Sequence, residues 1–143
     1  MTVVAYDGHN LAADKQSVCG GRCSTTTKIR RISTGEVLAI TGMQAMGEML
    51  VQWYESGADP AAWPIPDNDE NDCVRLIVAD KDGCKFYEHA MPIAVEDAFG
   101  AWGSGADFAV MAMHLGKSAR EAVELTSLYS VGCGNGVDSF GLT

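Results

Sequence analysis

The segment from Met1 to Asp14 constrains this chain more than any other. Thr2-Val3-Val4-Ala5-Tyr6 is a short apolar run, and Asp7-Gly8 is a turn pair favoured in tight hairpins. His9 to Ala13 then returns as a second strand that delivers Asp14 at its end. Further on, Thr25-Thr26-Thr27-Lys28-Ile29 supplies a lysine, and Thr41-Gly42 closes an apolar run. A threonine near the start, an aspartate after a hairpin, a lysine and a glycine therefore follow one another in a fixed order.

The remainder reads as strands and helices in blocks. Lys15 to Cys23 is polar and turn-rich around Gly20-Gly21. Thr26 to Ile32 reads as a strand, Ser33-Thr34-Gly35 as a turn, and Glu36 to Ile40 as an apolar strand. The period then changes. Met46, Met49, Leu50, Trp53 and Tyr54 fall on one face of an amphipathic helix, with Gly57 as its cap. From Ala58 to Asp72 three X-Pro steps and an acidic run break the pattern, as in a solvated loop. Cys73 to Ala79 and Cys84 to Glu88 form a second hairpin around Asp80-Lys81-Asp82-Gly83, and Pro92 to Val95 adds a short strand. Phe99 to Gly105 is a glycine-rich crossing into a helix from about Ala106 to Leu115. Ser118 and Glu121 make a capping box for a further helix, and Val137 to Phe140 is a closing strand. Hairpins and helices segregated in this way imply an α+β fold, with residues 1–143 as one domain.

Bulk properties exclude several function classes. A formal net charge of −9 opposes nucleic-acid or membrane-surface partners, which need clustered cations. No apolar stretch approaches the roughly 18–20 residues of a membrane span, and no export signal is visible, so the reading is a cytoplasmic protein. The five cysteines are then free thiols. Cys19 and Cys23 would lie roughly 13 Å apart on one strand, so only a turn at Gly20-Gly21 could join them in a metal or disulfide site. A calcium site in the run from Asp67 to Asp72 matches no EF-hand spacing. No metal or other cofactor is expected.

Six motifs carry a resemblance to the proteasome β-subunit and HslV-like family of amino-terminal nucleophile hydrolases. Asp7-Gly8 through Ala12-Ala13-Asp14 resembles its DG-x-x-L-A-A-D hairpin, and Thr27-Lys28-Ile29 the strand bearing its lysine. Thr41-Gly42 resembles its oxyanion-hole glycine, and Gly103-Ser104-Gly105 with Asp107-Phe108 its G-S-G turn into a helix. Leu115 to Ala122 resembles its L-G-x-S-A-x-E-A connection. The sixth is the threonine, Thr2. The resemblance implies a four-layer αββα sandwich and a self-assembling threonine-type peptidase, in which the catalytic residues would be Thr2, Asp14, Lys28, Gly42 and Ser104. It also implies a homo-oligomer, as in the family's rings, a polypeptide substrate, and an ATP-dependent unfoldase as a partner. Ser130 and Cys133 stand where eukaryotic-type members carry an aspartate and a serine.

These residue types suit one chemistry. A threonine hydroxyl needs a base, and a free α-amine on the same residue can supply it. A lysine cation tunes the site, a carboxylate pins the lysine, and a backbone N–H stabilises the oxyanion. Taken singly, the same residues are an ordinary strand threonine, surface lysine, turn aspartate and loop glycine. Two expectations follow from the resemblance. Thr2 lies roughly three or four positions closer to the hairpin turn than in the family, which would leave it about 10–13 Å short of the site. Lys28, as a tuner outside the core, should be replaceable by alanine without unfolding. With Met1 in place Thr2 has no free amine, so a catalytically silent assembly or binding protein is the alternative. Amide hydrolysis of a small substrate is a third reading. For assembly, the small uncharged residues Ala109, Met113 and Ala122 are expected to face outwards.

Overall fold

Alternating burial along the first hairpin sets the frame. In the computed structural model, which describes residues 1–66 and 74–143, strand β1 (Val4–Tyr6) pairs antiparallel with β2 (Asn10–Asp14) in the register Val4↔Ala13 to Tyr6↔Leu11. β10 (Gly100–Trp102) and β11 (Val137–Gly141) flank them, giving a four-stranded sheet in the order β10-β1-β2-β11. A second sheet, of five strands, runs β5 (Ile29–Arg31), β6 (Val37–Thr41), β7 (Arg75–Asp80), β8 (Gly83–Tyr87) and β9 (Ile93–Ala94). Strand β10 lies within the glycine-rich stretch read as a crossing. Its three residues carry no alternation to announce them, and they become a strand by pairing with β1.

The two sheets face each other across an apolar cluster. Val4, Tyr6, Leu11 and Ala13 of the first meet Ile29, Val37, Ala39, Ile77 and Ala79 of the second. On its other face the first sheet packs Val3, Ala5 and Ala12 against helices α2 (Ala106–His114) and α3 (Ala119–Tyr129). The second sheet packs Leu38, Ile40, Leu76 and Val78 against α1 (Gln44–Glu55). Strands buried on both faces explain the near-continuous apolar runs at β1, β6 and β7. Each large side chain so buried contributes about 1.5–3 kcal/mol.

Local chemistry sets the helix ends. Ser118 accepts from the Glu121 amide while Glu121 accepts from the Ser118 amide, the reciprocal capping box read from the sequence. The buried face of α1 is Gly47, Leu50, Val51 and Trp53, with Met49 exposed. Of the expected face, Leu50 and Trp53 are buried and Met46 and Tyr54 pack at its edge, so only Met49 departs from it, while Gly47 packs on Ile40.

Three further expectations are corrected or resolved. The turn-rich segment from Lys15 to Cys23 is part of a hairpin, because β3 (Gln16–Cys19) and β4 (Arg22–Thr25) pair around Gly20-Gly21. Cys19 stands opposite Arg22, and Cys23 opposite Val18, so the two thiols project from opposite faces and remain free. Ala109, Met113 and Ala122 do not face outwards. All three are buried against the first sheet, and the outer surface of the helix pair carries Phe108, Met111, Leu115, Leu128 and Tyr129 instead. Small residues sit inward here because two helices and a sheet must approach closely. The acidic run from Asp67 to Asp72, with its calcium reading, lies outside the described residues. No helix among the described residues is long and apolar enough to cross a membrane.

Candidate active site

Asp14 ends β2 beside the start of the chain, where the hairpin is held from its base. The Asp14 amide donates to the Val3 carbonyl (3.2 Å), and the Val3 amide donates to Asp14 Oδ1 (3.1 Å). Asp14 Oδ2 accepts from the amides of Gln16 (3.2 Å) and Gly134 (3.1 Å). With Lys28 Nζ at 2.9 Å from Oδ1, this fully buried carboxylate has four donors. Full satisfaction is what allows a charge to remain buried.

Lys28 immediately precedes β5 and is only 4% exposed. Its carbonyl accepts from the Ile40 amide, which continues the β5–β6 ladder and aims the side chain at the hairpin base. Lys28 Nζ donates to Asp14 Oδ1, to Thr2 Oγ1 (3.2 Å) and to the Met1 carbonyl (3.0 Å). All three ammonium donors are thus used.

This geometry overturns the expected shortfall of Thr2. An antiparallel pair is registered from its base, so a hairpin shortened equally on both arms at the tip leaves the base in place. Thr2 and Asp14 stay neighbours however short the loop between them. The reading of Lys28 as a surface lysine outside the core is corrected as well, since it is buried and neutralises a carboxylate inside the protein.

The Gly103-Ser104-Gly105 turn closes the other side of Thr2. Ser104 Oγ accepts from the Thr2 nitrogen (3.2 Å), and the Gly105 amide donates to the Thr2 carbonyl (3.1 Å). Gly103 has φ +97°, and a Cβ there would land on the Thr2 carbonyl. At Gly105 a Cβ would run into Thr126 and Val3. Glycine at these two positions lets the turn clasp the threonine backbone. Behind it, Ser130 Oγ donates to Cys133 Sγ at 3.7 Å. Burial pushes the Cys133 thiol above its usual range and the Asp14 charge adds to this, against the opposing pull of the Ser130 and Ser104 hydrogen bonds and of Lys28.

Thr2 and Ser104 open on a cavity of about 530 Å³, also lined by Thr41, Gly42, Arg75 and Trp102. Hydrogen bonds thus link Thr2, Asp14, Lys28 and Ser104, and Gly42 lines the same cavity as Thr2 and Ser104. Arg75 was missed. It opens β7, and only its pairing opposite Thr41 brings it to the cavity. A hydroxyl against an ammonium, with a glycine facing the same cavity, has the parts of a nucleophilic acyl-transfer site.

No protein-family model and no curated protein sequence matches the chain. Solved structures do. The fold is that of HslV-type proteins, so the likeness read from the motifs extends to the whole architecture. BPH of Thiobacillus denitrificans superposes with a TM-score of 0.74 at 22% identity, covering 100% of this chain and 99% of that one. BPH in complex with epoxomicin gives 0.75 at 21%, covering 100% of both. The eukaryotic HslV of Trypanosoma brucei gives 0.68 at 22%, covering 98% and 97%.

Proposed function

We propose that this chain is a threonine-type peptidase subunit of the HslV-like kind, a single domain over residues 1–143 with a four-layer αββα sandwich. The three apolar clusters support that layering. The observation that carries the activity is Lys28 Nζ, 3.2 Å from Thr2 Oγ1 while paired with buried Asp14.

With Met1 removed, the Thr2 α-amine would lie beside Ser104 Oγ and act as base for its own hydroxyl. Thr2 Oγ1 attacks the substrate carbonyl carbon as its proton passes to the amine. The Gly42 amide receives the developing oxyanion, and the Lys28 ammonium lowers the cost of charge at Oγ1. The amine returns the proton to the leaving nitrogen, the peptide bond breaks, and water later cleaves the ester to restore Thr2. Asp14 is a positioning residue that holds Lys28 in its charged, aimed state. The exposed apolar face of α2 and α3 supports assembly as a homo-oligomer. A polypeptide substrate, an ATP-dependent unfoldase partner and a cytoplasmic setting belong to the same reading.

The alternative is a silent assembly protein that keeps Met1. With Met1 attached, the Thr2 nitrogen is an amide and the Met1 carbonyl occupies one Lys28 donor. Intact mass followed by epoxomicin, the compound bound to BPH in the neighbouring structure, separates the two readings. A protein proven to begin at Thr2 should gain one covalent adduct, mapping to Thr2. Absence of the adduct on that protein favours the silent reading.

A further inference from the structure

The β3–β4 hairpin pairs only with itself, as a two-stranded sheet, and residues 18–25 are exposed on both of its faces. A two-stranded ribbon with nothing packed on it is marginal in water, so its order depends on a covering surface. The base is anchored, with Lys15 Nζ 2.9 Å from Asp138 Oδ2 and the Thr26 amide donating to the Lys15 carbonyl. The far end carries exposed Val18 and Arg22, and Arg22 has no ion pair among the described residues. Residues 15–35 hold five lysines and arginines and no acid, in a chain whose net charge is −9.

A second surface has the opposite character. A cavity of about 630 Å³ lies at β9 and β10, the edge strands of the five- and four-stranded sheets. Phe86, Phe99 and Trp102 wall it, with the Phe86 and Trp102 rings 5.7 Å apart. Its charged lining residues are the exposed acids Glu96 and Asp97, neither of them ion-paired among the described residues. No lysine or arginine occurs between Lys85 and Lys117.

From these two surfaces we infer that the β3–β4 hairpin of one copy docks in this cavity of the next, with Arg22 against Glu96 and Asp97. A guanidinium can stack on an aromatic face while its edge donates to carboxylates, so one side chain answers both features of the cavity. An ion pair in open solvent would contribute little, but a seated ribbon excludes water and weakens the screening. The contact joins two different surfaces of the same chain. Copies therefore add head to tail, the arrangement that builds a ring or a filament rather than a two-fold pair. It is a contact separate from the α2–α3 face and independent of the chemistry at Thr2.

Light scattering and native mass spectrometry of the full chain test this. The wild type should assemble beyond a dimer. Arg22→Glu alone, and Glu96→Arg with Asp97→Arg, should each give smaller species, because like charges then meet at the contact. All three changes in one chain should restore the wild-type mass, a recovery that a folding defect would not produce. Ala98→Cys, on the cavity wall, should form a disulfide-linked ladder on mild oxidation through the exposed thiols of Cys19 and Cys23. The ladder should vanish when both are replaced by serine. A monomeric wild type, an assembly that survives the reversals, or no recovery in the triple variant overturns the inference. So does a ladder that persists without Cys19 and Cys23, or the absence of any ladder.

Discussion

Val3 and Asp14 are joined twice, once through the Asp14 amide to the Val3 carbonyl and once through the Val3 amide to the Asp14 carboxylate. This double link welds the hairpin at its base and leaves the tip free to be short. Thr2, one residue outside the weld, is thereby delivered to Lys28. The same carboxylate that orients the lysine also positions the strand that carries the threonine.

The buried ion pair should dominate the response of this region to mutation. Lys28→Ala strands a fully buried carboxylate with backbone amides alone, and should destabilise the fold by about 3–5 kcal/mol. A double-mutant cycle with Lys28→Met and Asp14→Asn, read by urea unfolding, should give a coupling of about 1–3 kcal/mol. Additive single effects would mean that the pair is not formed.

Thr2 itself should be separable from stability. Thr2→Ala removes one hydroxyl contact with Lys28, at about 1 kcal/mol, and should abolish peptide cleavage and the epoxomicin adduct. Thr2→Ser keeps the hydroxyl and the amine and should retain part of the activity. Cleavage by Thr2→Ala at the wild-type rate would place the nucleophile elsewhere.

The glycine turn offers a geometric test. Gly103→Ala should cost about 1–3 kcal/mol in thermal or urea unfolding, because it combines a positive φ with a collision at the Thr2 carbonyl. Gly116→Ala is the control. It shares the positive φ, at +93°, but its Cβ would enter open space, so it should cost less. Equal losses would show that the clasp on Thr2 contributes nothing.

Asp7 should mark the acid limb of stability. Burial raises its carboxyl, but the amides of Ala119, His9 and Asn10 outweigh this and hold it below the ordinary value of 3.8. A depressed folded-state value contributes stability that is present above the ordinary aspartate range and is lost as pH falls through the lower, folded one. Urea midpoints should therefore fall as the pH drops below the ordinary aspartate value of 3.8 in the wild type, and fall less steeply in Asp7→Asn. Parallel curves would remove Asp7 from the acid transition.

Much of this architecture is written locally. The Asp7-Gly8 turn between apolar runs, the capping box at Ser118 and Glu121, and the change of period after Gly42 each depend on neighbours a few residues away, so the chain alone specifies those elements. The order Thr2, Asp14, Lys28, Gly42 and Ser104 was legible for the same reason, each residue lying within a short motif. Tertiary structure decided what depends on pairing between distant segments. Counting from the hairpin tip put Thr2 out of reach, whereas registration from the base, closed by Val3 and Asp14, put it against Lys28. Gly100–Trp102 became a strand only by meeting β1, and Arg75 entered the cavity only by standing opposite Thr41. The burial of Lys28 and the inward turn of Ala109 and Ala122 were decided by packing, since a residue's exposure is set by what the rest of the chain lays over it.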